Sequence, residues 1–390
     1  MAPIVIYADR AFTPFEQIPD AVVVIDKTRI AAIGSKGVVT VPTGARTVHA
    51  RGQTLVPGFV DVHIHGAGGH DVMEATPEAL HTIAATVALH GTTSMVATTV
   101  TASEPETCRS VAAISAFVLQ DRQSSPPTPS AQILGIHFEG PFISRTRRGV
   151  HPPEWIADPS AAMFSRFLQQ AQGTGLILTL APELPGALEL IAQAHAAGLV
   201  VSLGHTDAGY EQAQSAIAAG ARHAAHVFNA MRPFSHRETG VIGAILTSPQ
   251  VSAELIADGV HVDAAAMRML LDLKTPAGVI LVSDGISATG MADGEYQLGT
   301  FRVSVSGGVC RNAEGKLAGS TLTLDRALRN IVSLGVPLGA ALGMATANPA
   351  RQIGLGERKG TLAPGADADL VLLDSALEVS GVMTRGVGLA

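Results

Sequence analysis

From Gly58 onward, short apolar runs alternate with helix-length segments, and this alternation limits the fold more than any other feature of the sequence. The runs predicted as buried strands are 59–64, 93–98, 133–138, 176–180, 199–203, 223–227, 252–256 and 279–283. The helices predicted between them include 77–90, 104–119, 186–197, 210–219 and 264–273. Eight strands separated by helices predict an α/β chain with a (β/α)8 TIM-like barrel. A doubly wound sheet is the alternative, but it would not explain polar residues at the ends of so many strands.

The two ends of the chain predict a second, smaller unit. Strand-like runs occur at 4–7, 21–25, 29–33 and 46–49, and a further turn and strand lie within 361–374. We therefore expect a small β-sandwich domain built from residues 1–56 together with 357–390. The metal-dependent catalytic barrel would then occupy residues 57–356. The length of 390 residues suits this division, since such barrels typically need about 250 residues.

Composition argues against several classes of protein. Hydrophobic residues make up 47% of the chain, yet no stretch approaches the roughly 18 uninterrupted apolar residues of a membrane helix. A net charge of −7 argues against nucleic-acid binding, although one local arginine could still attract an anionic small molecule. Cys108 and Cys310 lie far apart, and the N-terminal residues do not resemble a secretory signal. We expect a cytoplasmic protein with no membrane or nucleic-acid partner.

Residues suited to bind a divalent metal follow several of the predicted strands. Glu139, His205 and His226 each stand where an apolar run gives way to glycine or a polar turn. Either histidine alone could be a core residue with satisfied hydrogen bonds. One carboxylate and two imidazoles together, with room left for water, are typical of an open catalytic metal site. His137 lies two residues before Glu139, and we interpret it as a hydrogen-bonded support rather than a ligand.

The first and last predicted strands add three further candidates. His63 and His65 are two residues apart in a strand, so their side chains point to the same face. Such a pair is often structural, but its position directly after the first strand favours a metal role. Asp284 ends the eighth strand, where a carboxylate beside metal-bound water can take its proton and pass it to a leaving group. The alternative for Asp284 is a turn or helix-capping aspartate before Gly285.

Taken together, these motifs resemble one family. Asp-x-His-x-His-Gly at 61–66, His-x-Glu-Gly-Pro at 137–141 and Leu-Gly-His-Thr at 203–206 occur in this order in the amidohydrolase superfamily. Further motifs lie at 225–231, 237–240, 257–263, 282–285 and 317–320. With them, nearly the whole chain resembles the N-acetylglucosamine-6-phosphate deacetylases of that superfamily.

The resemblance implies metal-dependent hydrolysis of the acetamide of N-acetylglucosamine 6-phosphate to glucosamine 6-phosphate and acetate. It implies that Glu139, His205 and His226 hold the principal metal and that Asp284 acts as general base and then acid. Because only some family members carry both His63 and His65, their presence leaves room for a second, weaker metal site. Zinc is the expected metal, and iron, manganese or cobalt would also suit these ligand types.

The resemblance also implies a set of substrate contacts. His151 would lie near the scissile amide, and a segment of three residues would pack beside the acetyl group. Arg237 is the expected phosphate ligand, since a bidentate arginine suits phosphate better than lysine does. It would be assisted by His261, and both would reach across the interface of a homodimer. The full set of implied substrate-binding residues is His151, Asn229, Ala230, Arg237, His261, Leu317, Ala318 and Gly319.

Two alternatives stay open. The chain could be another amide or cyclic-amide hydrolase of the same superfamily, although Arg237, His261 and the Phe-Asn-Ala-Met segment at 228–231 favour a phosphorylated acetamido sugar. It could also be a non-enzymatic scaffold on the same fold. The intact set of metal-binding candidates, with Asp284 beside them, argues against that second alternative.

Overall fold

The computed structural model of the chain describes residues 2–14, 16–124 and 128–389. Its strands are, in chain order, β1 (Ile4–Phe12), β2 (Gln17–Asp26), β3 (Arg29–Ser35), β4 (Arg46–Pro57), β5 (Phe59–Ile64), β6 (Gly66–Ala67), β7 (His70–Asp71), β8 (Thr92–Thr99), β9 (Gln132–Glu139), β10 (Gly175–Leu180), β11 (Val200–Leu203), β12 (Ala221–Ala224), β13 (Ser252–Leu255), β14 (Val279–Leu281), β15 (Gly294–Leu298), β16 (Phe301–Ser306), β17 (Val309–Asn312), β18 (Leu370–Leu373), β19 (Val379–Thr384) and β20 (Val387–Gly388). Its α-helices are α1 (Pro77–Ala88), α2 (Glu104–Gln123), α3 (Ala161–Ala171), α4 (Ala187–Ala196), α5 (Tyr210–Ala219), α6 (Gly240–Thr247), α7 (Ala264–Lys274), α8 (Leu324–Ser333), α9 (Leu338–Ala345) and α10 (Ala347–Gln352).

A parallel sheet of β5 and β8 to β14 forms the larger part of the molecule. The strands pair in chain order, so that each strand lies beside its predecessor. The two ends of the sheet then meet: Asp284 N donates to His63 O over 2.9 Å, and Ile64 forms a parallel bridge with Gly285. The prediction of a (β/α)8 barrel is therefore confirmed, and the doubly wound alternative is excluded.

Capping residues in the sequence explain where the helices around the barrel begin. Thr76 caps α1 by accepting a hydrogen bond from Ala79 N, and proline takes the first helical position. Ser103 caps α2 in the same way, accepting from Glu106 N. The strands between the helices are buried on both faces; β8, for example, has no exposed residue. This burial leaves only the strand ends open to solvent, so chemistry is confined to the barrel mouth.

The two ends of the chain build a separate seven-stranded sheet in the order β20-β19-β18-β4-β1-β2-β3. In it β4 pairs parallel with β1 and antiparallel with β18. The apolar core of this sheet contains Ile6, Val23, Leu55, Leu370 and Met383. This core is a hydrophobic cluster distinct from the core of the barrel. The chain passes from β4 to β5 with only Gly58 between them. The division into 1–56 with 357–390 and 57–356 stays a prediction.

An insertion after the eighth barrel strand covers part of the barrel mouth. β15, β16 and β17 form an antiparallel sheet. Gly299 N donates to Asp71 Oδ2 over 2.8 Å, which ties this sheet to the loop after β5. In the described part of the chain, no helix combines the length and apolar character needed to cross a membrane.

Candidate metal centre

The Glu139 carboxylate lies at the centre of the barrel mouth, at the last residue of β9. Its Oε1 lies 3.2 Å from His63 Nε2, 3.2 Å from His205 Nε2 and 3.1 Å from His226 Nε2. The three histidines come from different barrel strands or the turns that follow them. The structure thus brings together the three residues predicted to hold the principal metal, and it places His63, predicted for the second site, against the same oxygen.

The second oxygen of Glu139 faces another part of the site. Oε2 lies 3.3 Å from His65 Nε2 and 3.3 Å from His151 Nε2. Asp284 Oδ1 lies 3.3 Å from His65 Nε2 and 3.7 Å from His63 Nε2. Glu139 therefore lies between two groups of side chains, with Asp284 and His65 on one side and His205 and His226 on the other.

Hydrogen bonds on the outer side of the rings orient their inner nitrogens. The Nδ1 atoms of His63, His65 and His205 lie 2.8, 3.2 and 3.1 Å from Glu254 Oε2, Thr98 O and Arg147 O, respectively. Because carbonyl and ionised carboxylate oxygens only accept, each Nδ1 carries a hydrogen, and a ring without a second proton has its lone pair on the inward-facing Nε2.

These Nε2 atoms face the carboxylates of Glu139 and Asp284, so the centre needs positive charge, from protons on the rings or from a cation. Among the described residues, His63 Nε2 is buried without a hydrogen-bond partner. Three groups that include Glu139 or Asp284 have ligand atoms within 4.8 Å of one another: His63 with His65 and Asp284, His63 with Glu139 and His226, and Glu139 with His151 and His205. Nitrogen and carboxylate donors in this arrangement fit a divalent cation.

The pKa values of the site residues also indicate that the centre needs positive charge. Burial opposes ionisation of Glu139, but His63 and His205 hold its pKa well below the usual range. Burial disfavours the charged form of His65, yet hydrogen bonds to Asp284 and Glu139 raise its pKa to about 9. Burial lowers the pKa of His205 to about 4, so that ring stays neutral, as a metal ligand must be. The carboxylates thus require positive charge, which a divalent cation can supply.

Three of the site residues adopt an unusual backbone conformation. The φ angles of His205, His226 and Asp284 are 47°, 29° and 48°, in the region that residues with side chains avoid. Strain of this kind typically costs about 1–3 kcal/mol per residue and occurs most often at functional sites. Gly140, next to Glu139, also has a positive φ of 77°, and a Cβ there would collide with Thr101 Oγ1.

One further residue of this centre, Glu254 on β13, was not among the residues predicted from the sequence. Its side chain is fully buried; Oε2 lies 2.8 Å from His63 Nδ1 and accepts a hydrogen bond from His226 N over 2.9 Å. Glu254 is the only charged residue in the apolar run 251–257. A carboxylate inside a barrel strand needs a partner, and this requirement was the available signal.

His137 occupies the position expected of a supporting residue. Its Nδ1 lies 3.1 Å from Val62 O and its Nε2 lies 2.7 Å from Thr179 Oγ1. Burial, together with the nearby charge of His63, lowers its pKa to about 3. With both nitrogens hydrogen-bonded, the ring has no lone pair directed at the carboxylates.

A cavity of about 180 Å³ opens above the carboxylates. Of the residues predicted to bind substrate, it is lined by His151, Asn229, Ala230, His261, Leu317 and Gly319. Ala318 is instead buried in the core of the insertion, and its N–H donates to Cys310 O over 3.2 Å. Arg237 is exposed and lies outside the cavity lining of the described chain. The predicted roles of all these residues stay predictions.

The chain is similar to known proteins over most of its length. Residues 54–388 match the model of the amidohydrolase family. An N-acetylglucosamine-6-phosphate deacetylase of Lysinibacillus sphaericus is 38% identical over 348 residues, which cover 88% of this chain and 87% of the relative. An N-acetylgalactosamine-6-phosphate deacetylase of Escherichia coli O157:H7 is 38% identical over 335 residues, covering 86% and 87% of the two chains.

A solved structure shares the complete fold. It is that of a mutant N-acetyl-D-glucosamine-6-phosphate deacetylase from Mycobacterium smegmatis in complex with N-acetyl-D-glucosamine-6-phosphate. The TM-score is 0.92 at 38% sequence identity, and the alignment covers 100% of this chain and 99% of the other.

Replacing Glu139 by glutamine should abolish metal-dependent stabilisation. A metal that binds only the folded state at about 100 times its Kd adds about 2.7 kcal/mol to the free energy of unfolding. We expect that gain when zinc is added to the metal-free wild-type protein, and no gain for Glu139→Gln, measured by thermal unfolding with and without zinc. Glu74→Gln, at a half-exposed carboxylate, is the control and should respond as the wild type does. An equal gain in the Glu139 variant would contradict the assignment.

Proposed function

This chain belongs to the amidohydrolase family and, within it, to the N-acetylglucosamine-6-phosphate deacetylases, and on this basis we propose that it hydrolyses N-acetylglucosamine 6-phosphate to glucosamine 6-phosphate and acetate. The observation that carries the proposal is the buried Glu139 carboxylate, which contacts five imidazoles at the floor of a cavity. That geometry supports hydrolysis assisted by a metal and gives no support to the scaffold alternative.

In this proposal Glu139, His205 and His226 hold the principal metal, which we take to be zinc. His63 and His65 hold a second, weaker one. The chemistry that a divalent metal supplies in such a site is polarisation of the amide carbonyl and acidification of water. Both are needed, since an amide carbonyl is a poor electrophile and an amine is a poor leaving group.

Asp284 is the proposed general base and then acid. Burial opposes its ionisation, but the hydrogen bond with His65 and the charge of His63 lower its pKa below the usual range. At neutral pH the carboxylate is therefore ionised and able to accept a proton from the attacking water. The same proton then passes to the amide nitrogen, so that glucosamine 6-phosphate leaves as a neutral amine.

The lining of the cavity suits an acetamido group. His151 lies 3.3 Å from Glu139 and can donate a hydrogen bond to a substrate oxygen held beside the carboxylate. Val100, Val150, Leu298 and Leu317 give the cavity an apolar wall, against which an acetyl methyl group can pack. Both features support the acetamide over a larger cyclic amide.

The phosphate is proposed to bind further out. His261 lines the cavity, and its Nδ1 is held 2.7 Å from Asp258 Oδ2. Arg237 forms no ion pair with the described residues, so its guanidinium is available to an external anion. We propose a homodimer in which Arg237, with His261, reaches the substrate of the neighbouring subunit. We also propose a cytoplasmic location, in keeping with the unpaired Cys108 and Cys310.

The test of the proposed function is acetate release from N-acetylglucosamine 6-phosphate and from N-acetylglucosamine, on chelator-treated protein with and without zinc. Metal-dependent turnover with a strong preference for the phosphorylated sugar supports the proposal. Equal turnover of the phosphorylated and unphosphorylated sugars would favour another amide hydrolase of the superfamily. Because one relative carries the name of an N-acetylgalactosamine-6-phosphate deacetylase, that sugar phosphate is the second candidate substrate and belongs in the same assay.

Asp284→Asn should lower kcat by about 10²–10⁴-fold, the usual contribution of a positioned acid–base group. The amide keeps the shape of the side chain but cannot take the proton. Metal content, measured by elemental analysis, should stay close to that of the wild type. Full activity in this variant would rule out Asp284 as the base.

Arg237→Ala should raise KM for the phosphorylated sugar by on the order of 10–100-fold, because a hydrogen bond to a charged group contributes about 1.5–3 kcal/mol. Any activity on the unphosphorylated sugar should be unaffected. Arg268→Ala, at an exposed arginine on α7, is the matched control. Equal losses on both sugars would remove Arg237 from the phosphate site.

A further inference from the structure

We propose that Glu254 is a positioning residue that joins the two halves of the metal centre and determines how tightly the second metal is held at His63. The inference rests on the proposed function only in requiring that the site bind metal. The sequence shows Glu254 as a lone charged residue in an apolar run but does not show its partners, which lie 191 and 28 residues away in the chain.

One oxygen atom of Glu254 contacts ligands from both halves of the centre. Oε2 lies 2.8 Å from His63 Nδ1, and it accepts a hydrogen bond from the backbone N–H of His226 over 2.9 Å. His63 belongs to the proposed second site and His226 to the principal one. The side chains of Glu254 and His63 are both fully buried, so water does not compete for these bonds.

The bond to His63 determines what that ring can do. As Glu254 Oε2 accepts from Nδ1–H, the lone pair of His63 is on Nε2, which faces Glu139 at 3.2 Å. A carboxylate behind a metal-binding histidine fixes the tautomer and the ring orientation and makes the inner nitrogen more basic. Without that carboxylate the ring could rotate or place its hydrogen on Nε2, and the second site would lose a ligand.

The neighbouring buried histidines do not take over this role. His137 directs its nitrogens at Val62 O and Thr179 Oγ1, although its ring lies 4.6 Å from that of His63. His223 Nε2 lies 3.6 Å from Glu254 Oε1, beyond hydrogen-bonding distance. Within the described chain, Glu254 is the only acceptor in contact with His63 Nδ1.

The bond to His226 supports a strained turn. His226 has a φ of 29°, and its N–H is directed at Glu254 just after β12 ends. A backbone conformation of this kind persists only where surrounding contacts hold it. Glu254 therefore also helps to keep His226 facing Glu139, but through the backbone rather than the ring.

The test is metal binding to the metal-free protein, followed by dialysis and by the visible spectrum of bound Co²⁺. Glu254→Gln keeps the size of the side chain and removes its charge. We expect its second-site affinity to fall by about 10–100-fold, the usual effect of losing such a partner, while the first site changes little. Thr179→Val, which removes the partner of His137 but leaves His63 Nδ1 bonded, is the matched control and should bind both metals as the wild type does.

A double variant separates the two routes by which Glu254 could act. His63→Asn alone should abolish the second site. If Glu254 acts on that site through His63, adding Glu254→Gln to His63→Asn should leave the remaining metal affinity unchanged. A further large loss in the double variant would place the main effect at His226 and overturn the proposal, as would wild-type affinity for both metals in Glu254→Gln.

Two other outcomes are a Glu254→Gln variant that does not fold and a wild-type protein that binds only one metal. If Glu254→Gln does not fold, as judged by circular dichroism, Glu254→Asp takes its place. A weakened second site there supports the proposal and an unchanged one overturns it. A wild-type protein that binds only one metal at any concentration also overturns it. Because these titrations contain no sugar, their outcome is separate from that of the deacetylase assay.

Discussion

The buried carboxylate of Glu139 is the interaction on which the arrangement of the barrel mouth depends. A charge of this kind, away from water, costs several kcal/mol unless opposite charge or hydrogen bonds surround it. Here the surrounding groups are imidazoles that reach it from several strands or the loops after them, and no short segment of chain could supply them together. The closed barrel is therefore a requirement of the site, since it brings the ends of distant strands to one place.

The parts of the molecule outside the barrel differ in what they contribute to the site. The sheet built from β1 to β4 and β18 to β20 has its own apolar cluster and contributes no residue to the cavity above Glu139 in the described chain. The insertion after β14, in contrast, contributes to that cavity, because Leu298 and Leu317 form part of its apolar lining. Polar groups from the barrel strands thus meet an apolar wall from a later element, which is the combination that binding an acetamide needs.

Much of the fold could be read from the sequence because the signals were local. β5 and α5 were predicted with their observed bounds, Phe59–Ile64 and Tyr210–Ala219, since an apolar run and an amphipathic segment bounded by glycines are both local signals. The helix α6, Gly240–Thr247, was not among those named. Its first seven residues are all buried, so it has no polar face from which a helical period could be recognised.

The same distinction holds for the candidate site. Glu139, His205 and Asp284 could be proposed from their positions after strands, and the structure brings them together. The sequence indicates only that Glu254 needs a partner, and its role could not be proposed because the sequence does not display which residues it pairs with. The strand predicted at 223–227 ends instead at Ala224, and the positive φ of His226 is a property of the turn that no residue pattern indicated.

The left-handed backbone at His205, His226 and Asp284 also bears on how such a protein changes over generations. Three strained residues at about 1–3 kcal/mol each amount to a large share of the roughly 5–15 kcal/mol that keeps a typical domain folded. Glycine at any of these positions would relieve the backbone and remove a functional side chain at once. Selection for stability alone would therefore favour substitutions that remove the functional side chains of this centre. The centre persists only under continuing selection for its function.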